Sequence, residues 1–224
     1  MSRGIVIFDL DGTLIDSAPE IHAILNAILT EEGGTSLSEG QVRGFIGWGT
    51  DHCIGKAMGA AGLDPEDSDL RERITAAFLD RYETQHENTK VYPGVVDTLE
   101  LLATYGFALG LCTNKATGPT RAVLANFDLE ARFDTVVCGD MVGVQKPDPA
   151  PLLKAAGDLG GGPVLYVGDS EVDAQTATAA GIPFALYTQG YRHAAVGDIE
   201  HHEAFDHFDK LPAVVARVLR PGTA

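Results

Sequence analysis

Apolar residues along this chain gather into short runs separated by longer stretches of helical period. Five runs read as buried strands: Ile5 to Phe8, Phe107 to Cys112, Thr135 to Cys138, Val164 to Val167 and Phe184 to Tyr187. Such runs fit strands covered on both faces, as in a parallel sheet. Between them, helical patterns cover Val95 to Tyr105, Pro119 to Phe127, Pro149 to Leu159 and Asp173 to Ala180. Gly106 and the sequence Gly181-Ile182-Pro183 supply stop signals for two of these helices. The alternation predicts an α/β fold with a Rossmann-like parallel sheet core. One gap breaks the rhythm. From about Asp16 to Lys90 there is no strand candidate, only helical runs. The first opens on Ser17-Ala18-Pro19-Glu20, a capping-box pattern, and places Ile21, Ile24, Leu25, Ile28 and Leu29 on one face. The expectation is an inserted helical cap domain over 16-88, dividing a core made of 1-15 and 89-224, with the return linker near Asn88 to Gly94.

Composition narrows the function classes. A chain of 224 residues can bury one sizeable core and carry one small extra domain. The formal net charge of -16 repels phosphate backbones and anionic lipid, which argues against nucleic-acid and membrane partners. No apolar run approaches the roughly 20 residues needed to span a bilayer. The N-terminus runs into the first strand with no targeting pattern, so a cytoplasmic protein is expected; monomer and homodimer both stay open. Cys53, Cys112 and Cys138 lack metal-ligand spacing and read as small core hydrophobes in a reducing compartment.

The chemistry concentrates at predicted strand ends. The first strand runs into Asp9-Leu10-Asp11-Gly12, two carboxylates one residue apart. Buried charge is costly unless compensated, so the pair calls for a hard cation, a shared proton, or both. The second strand ends in Thr113-Asn114-Lys115, whose hydroxyl and amide can hold phosphate oxygens or make an ordinary turn. After the third strand, Lys146 precedes Pro147-Asp148-Pro149 and a helix start; it can point at the strand ends or be a solvated surface lysine. The fourth strand leads to Asp169 and, four residues on, Asp173; the plainer reading of Asp169 or Ser170 is a helix cap. Ligands bind outside the carboxyl ends of strands in open α/β sheets, and all four clusters fall at that edge.

These four clusters, in this order and spacing, resemble the motifs of the haloacid dehalogenase superfamily of phosphotransferases across nearly the whole chain. Within it the chain is most similar to bacterial phosphoglycolate phosphatases, through Thr113-Asn114-Lys115, Gly139-Asp140, Lys146-Pro147-Asp148-Pro149, Gly168-Asp169-Ser170, Thr188-Gln189-Gly190-Tyr191 and Phe45-Ile46-Gly47-Trp48-Gly49. The resemblance implies Asp9 as nucleophile forming an aspartyl-phosphate, and Asp11 as acid and then base, a role requiring a raised pKa that neighbouring carboxylates can supply. It implies Mg²⁺ held by Asp9, the Asp11 backbone carbonyl and Asp169, with Asp173 in support. Lys146, Thr113 and Asn114 would hold the phosphoryl group of a small anionic phosphorylated substrate. Asp11 points to phosphate chemistry, since dehalogenases of this superfamily lack an acid there.

The cap carries the substrate question. Gly44, Gly47 and Gly49 let the cap loop approach the site, and Trp48 stands where the resembled Val-Gly-Asn-Gly pattern has Asn. Arg43 and Lys56 flank that loop and can meet a substrate carboxylate or sit on a solvated surface. His22 lies near, though one position off, a histidine that mutase relatives carry. The alternatives are another sugar-phosphate phosphatase, a β-phosphoglucomutase-like enzyme, and a non-catalytic phosphate-ligand binder. The span from His193 to Asp209 reads as a polar connection.

Overall fold

A computed structural model describes residues 3–219. In chain order it contains β1 (Ile5–Phe8), β2 (Ile15–Asp16), α1 (Ala18–Glu31), α2 (Glu39–Arg43), α3 (Thr50–Ala60), α4 (Ser68–Tyr82), β3 (Lys90–Val91), α5 (Val95–Thr104), β4 (Ala108–Cys112), α6 (Thr117–Asn126), β5 (Thr135–Val137), α7 (Ala150–Asp158), β6 (Val164–Gly168), α8 (Glu171–Ala180), β7 (Phe184–Tyr187), β8 (Glu203–Phe205) and α9 (Leu211–Val218). Six strands form one parallel sheet in the order β5-β4-β1-β6-β7-β8. The expected α/β class is what forms.

The strand order explains where a ligand can sit. The chain leaves β1, returns to its flank as β4, moves outward to β5, then crosses to the other flank as β6. That reversal opens a crevice at the carboxyl end of β1. Register makes the placement exact in chain terms: Phe8 faces Leu111 of β4 and Val167 of β6. The residue after Phe8 is Asp9, whose backbone N–H donates to the Val167 carbonyl at 2.9 Å. Asp9 therefore stands between the ends of β4 and β6.

Three apolar clusters hold the fold. Val6, Phe8, Leu109, Leu111 and Val167 pack with α5, α6 and α9 on one face of the sheet. Ile5, Ile7, Cys112 and Tyr166 pack with α7 and α8 on the other. The third cluster belongs to α1–α4 alone and joins Ile24, Leu25, Ile28, Ile54, Met58, Ile74 and Phe78. Its separateness follows from sequence: each of these helices has one apolar stripe and packs it inward against the others. All three cysteines are buried and free.

Four details depart from the sequence expectation. The two connections between core and helices pair with each other, Ile15 with Val91 and Asp16 with Lys90, as a two-residue antiparallel ribbon. The span from His193 to Asp209 is not only a connection, because Glu203–Phe205 forms the edge strand β8 beside β7. Helix α9 follows, with Leu211, Val214 and Val215 buried. The capping box at Ser17-Ala18-Pro19-Glu20 does not form. Ser17 Oγ donates instead to Asp11 Oδ1 at 2.6 Å, and the buried Glu20 carboxylate accepts the Asn88 backbone N–H at 2.6 Å.

Candidate active site

Asp9, Lys146, Asp169 and Asp173 meet at the crevice, all nearly inaccessible to solvent. Lys146 Nζ lies 2.8 Å from Asp9 Oδ1 and 2.7 Å from Asp173 Oδ1, and donates to the Tyr166 hydroxyl at 3.0 Å. Its backbone is clamped by one side chain: Asn114 Oδ1 accepts the Lys146 N–H at 2.8 Å, and Asn114 Nδ2 donates to the Lys146 carbonyl at 2.9 Å. The lysine that sequence left between surface and site is thus held inside. Asp173 has both oxygens engaged. Oδ1 takes Lys146 and the Tyr166 hydroxyl, while Oδ2 accepts the Ser170 hydroxyl at 2.7 Å and the backbone N–H groups of Asp169 and Ser170. Asp173 is therefore the N-terminal brace of α8 and the anchor of Lys146.

Asp169 is fixed differently. Its Oδ1 accepts the Thr13 hydroxyl at 2.7 Å and its Oδ2 the Tyr191 N–H at 2.6 Å. Backbone presses on it from both sides: a Cβ at Gly12 or Gly190 would come within 2.4 or 2.3 Å of its carboxylate oxygen. Carboxylate oxygens of Asp9, Asp169 and Asp173 all lie within 4.8 Å of one another. Three buried carboxylates face one ammonium, and the imbalance shows in their titration. Burial pushes Asp9 up to about 7, against the opposing pull of Lys146. Burial, with Asp173 and Asp9 nearby, lifts Asp169 far above the carboxylate range. Lys146 outweighs the cost of burial at Asp173, whose value is lowered. Buried oxygen donors with excess negative charge fit a hard divalent cation. Asp9 and Asp169 are the carboxylates available to hold one: Lys146 takes a single Asp9 oxygen and each Asp169 oxygen has one donor, whereas both Asp173 oxygens take two or more.

Asp11 points elsewhere. Its Oδ1 accepts from Ser17 Oγ at 2.6 Å and pairs with Lys115 Nζ at 3.0 Å; Oδ2 lies 3.1 Å from the same ammonium. The side chains it touches are donors rather than the carboxylates expected from sequence. The Asp11 carboxylate also stands outside the buried triad.

The chain has known relatives. The profile of the haloacid dehalogenase-like hydrolase family matches residues 6–187. A phosphoglycolate phosphatase of Cereibacter sphaeroides is 46% identical over 215 residues, covering 96% of this chain and 98% of its own. That of Rhodobacter capsulatus is 41% identical, covering 94% and 95%. The chain belongs to the haloacid dehalogenase-like hydrolases. Among solved structures, that of a predicted phosphoglycolate phosphatase from Haemophilus somnus superposes with a TM-score of 0.88 at 28% identity, covering 96% of this chain and 99% of that one.

In this hydrolase the carboxyl edge of the sheet opens into a cavity of about 50 Å³ between the sheet and the four helices. Asp9, Asp11, Thr113, Asn114 and Lys115 form its sheet side; Ile21, Ile46, Gly47, Phe78 and Tyr82 are among those closing it from the helical side. Thr113 Oγ1 accepts the Lys115 N–H at 3.2 Å, so its own proton is available to an anion. The Asn114 amide is engaged, donating also to the Gly47 carbonyl at 3.0 Å across the core–helix boundary. Gly47, at φ +104°, and Gly49, at φ +90°, bring the loop between α2 and α3 close, and a Cβ on Gly49 would strike the Gln145 amide at 2.5 Å.

The structure does not bring Arg43, Trp48 or Lys56 to the cavity. Arg43 pairs with Glu39 at 3.0 Å and Asp16 at 3.4 Å and lies over the Tyr191 ring. Trp48 is exposed and faces His52, and Lys56 is exposed on α3. His22 lies 2.9 Å from the Leu37 carbonyl and 2.8 Å from the Asn26 amide, a tie among the helices and not a cavity group. Cys53 lines the cavity, but burial pushes its thiol up to about 12, so it offers no thiolate at neutral pH. Sequence reasoning missed Thr13, Tyr82, Lys115, Tyr166 and Tyr191. Lys115 and Tyr191 lie within motifs that carry the resemblance and Thr13 adjoins Asp11-Gly12; Tyr82 and Tyr166 carry no local signal. Among the described residues no helix is long and apolar enough to cross a membrane.

Proposed function

We propose that this protein is a Mg²⁺-dependent phosphatase that hydrolyses a small phosphomonoester, 2-phosphoglycolate, to glycolate and phosphate. The observation that carries the reading is Asp9 beside Lys146 at the carboxyl edge of the sheet, with a second acid, Asp11, facing the same small cavity. Asp9 attacks phosphorus while the bond to the leaving oxygen breaks, and Asp11 supplies the proton that the leaving alkoxide takes. Water then attacks the aspartyl-phosphate, Asp11 takes its proton, and the bond from phosphorus to Asp9 breaks. Lys146 and the Thr113 hydroxyl hold phosphoryl oxygens, and Asn114 keeps Lys146 in place. Asp9, Asp169 and the Asp11 carbonyl would hold Mg²⁺, which supplies charge neutralisation at the transferring group.

We assign residues 16–88 the role of a cap that excludes bulk water from the acyl phosphate. The names of the relatives support phosphoglycolate as substrate. The cavity supports it too, because it is small and its helical wall is mostly apolar. The absence of His22 from the cavity lining favours a phosphatase over a mutase. The test is phosphate release from 2-phosphoglycolate with Mg²⁺, against ethyl phosphate and glucose 6-phosphate. The acid should be turned over best, and Asp9→Asn should lower kcat roughly 10³-fold or more. A preference for the hexose phosphate, or full activity without Asp9, overturns the reading.

A further inference from the structure

Under the proposed substrate, a carboxylate must enter a cavity whose helical wall is mostly apolar. Leaving that charge unpaired there would be costly. Among the described residues, Lys115 is the one cationic side chain lining the cavity. It is nearly buried, and its ammonium stands 3.9 Å from the centre of the Tyr82 ring. Tyr82 lies at the end of α4, is fully buried, and its hydroxyl sits beside the Lys115 and Ser17 side chains without a well-formed hydrogen bond to either. A buried hydroxyl without a partner carries a desolvation cost that a bound acceptor removes. Phe78 stacks on the same ring at 5.4 Å and fixes its orientation.

We propose that Lys115 and the Tyr82 hydroxyl form the subsite that reads the carboxylate of the leaving group, selecting phosphorylated 2-hydroxy acids over phosphorylated alcohols. The geometry suits the chemistry. Lys115 touches Asp11, the acid assigned to the leaving oxygen, at 3.0 Å. In a phosphorylated 2-hydroxy acid a single carbon separates that ester oxygen from the carboxyl group. A leaving oxygen at Asp11 therefore brings its carboxylate to Lys115, whose ammonium then contacts the carboxyl groups of both Asp11 and the substrate. Tyr82 adds a hydroxyl donor from the helical side, so the subsite is complete only with α4 seated over the sheet.

This assignment rests on the proposed phosphatase reading, and a selectivity ratio separates the two. The readout is kcat/KM for 2-phosphoglycolate divided by that for ethyl phosphate, with Mg²⁺ present. A native protein that shows no preference for the acid refutes phosphoglycolate as substrate. With the native preference present, Lys115→Met should lower the ratio roughly 100-fold, whatever common loss it causes through Asp11. Tyr82→Phe keeps the ring and removes only the hydroxyl; it should lower the ratio roughly tenfold. Losses equal for both substrates in Lys115→Met would overturn the subsite while leaving the phosphatase reading intact. If that variant does not fold, Tyr82→Phe decides alone, and an unchanged ratio overturns the assignment.

Discussion

Side chains at the acidic cluster are positioned by backbone that comes unusually close. Asp169 is boxed between Gly12, at φ +85°, and Gly190, either of which would collide with it if it carried a Cβ. Gly190 has no left-handed φ, so its requirement is room alone. In Gly190→Ala the methyl would fall 2.3 Å from the Asp169 carboxylate and drive it off the Thr13 and Tyr191 donors. Supporting contacts of metal ligands are typically worth 10–100-fold in affinity. The variant should therefore need roughly tenfold more Mg²⁺ for half-maximal activity. A Mg²⁺ titration of phosphate release measures this. An unchanged midpoint with a folded protein would mean that Asp169 is not a ligand of the ion.

The elements that join the sheet core to helices α1–α4 show how one residue fastens three parts of the chain. The Tyr191 hydroxyl accepts the backbone N–H groups of Ser17 at 2.7 Å and Ala18 at 3.0 Å, and donates to Asp16 Oδ1 at 2.8 Å. Its own backbone N–H holds Asp169, and Arg43 of α2 lies over its ring. Tyr191→Phe strips the first turn of α1 of its acceptor and leaves two buried N–H groups without one. A loss of about 1–3 kcal/mol is expected, read as a lower midpoint of urea unfolding at unchanged slope. Because Ser17 also holds Asp11, kcat should fall with it; full stability and activity would show that solvent replaces the hydroxyl. This joint also marks the limit of what sequence reveals. Strands such as Ile5–Phe8 and Val164–Gly168 are legible because four or five apolar residues run together, and both bear site aspartates just beyond their ends. The β2–β3 ribbon is two residues per strand, too short for any period, and β8 has a mixed pattern on an edge. Ser17-Ala18-Pro19-Glu20 reads locally as a capping box, yet both of its polar side chains serve distant partners, Asp11 and Asn88. Thr13 meets Asp169 across 156 positions, and Lys115 meets Asp11 across 104. Motifs name the acids and Lys146; only the fold pairs Lys146 with Asp9 and Asp173 and reveals Lys115 as the counterion of Asp11.

Stability of the whole molecule is tied to the charge held in that crevice. Asp9 titrates near 7 in the metal-free protein against 3.8 ordinarily, chiefly through burial. Its folded value is raised, so between pH 4 and 7 the folded state binds the extra proton. Stability then falls as pH rises through that window. Asp169 is raised too, and acts in the same sense; Asp173 is lowered, and its contribution is lost only below the ordinary carboxylate range. The formal charge of -16 adds general repulsion as carboxylates ionise. Without divalent cation the melting temperature should therefore drop between pH 5 and pH 8. A cation bound by Asp9 and Asp169 competes with those protons, so Mg²⁺ should stabilise little at pH 5 and strongly at pH 8. Saturation a hundredfold above Kd is worth about 2.7 kcal/mol, and at about 2–4 °C per kcal/mol for a domain of this size the rise is roughly 5–10 °C. Melting curves at the two pH values, with Mg²⁺ and with EDTA, check the sign. Asp9→Asn removes one of the two raised carboxylates, so its metal-free curve should be flatter between these pH values than that of the native protein. A native protein that gains stability with pH in EDTA, or gains equally from Mg²⁺ at both values, would place the ion elsewhere than at the buried carboxylates.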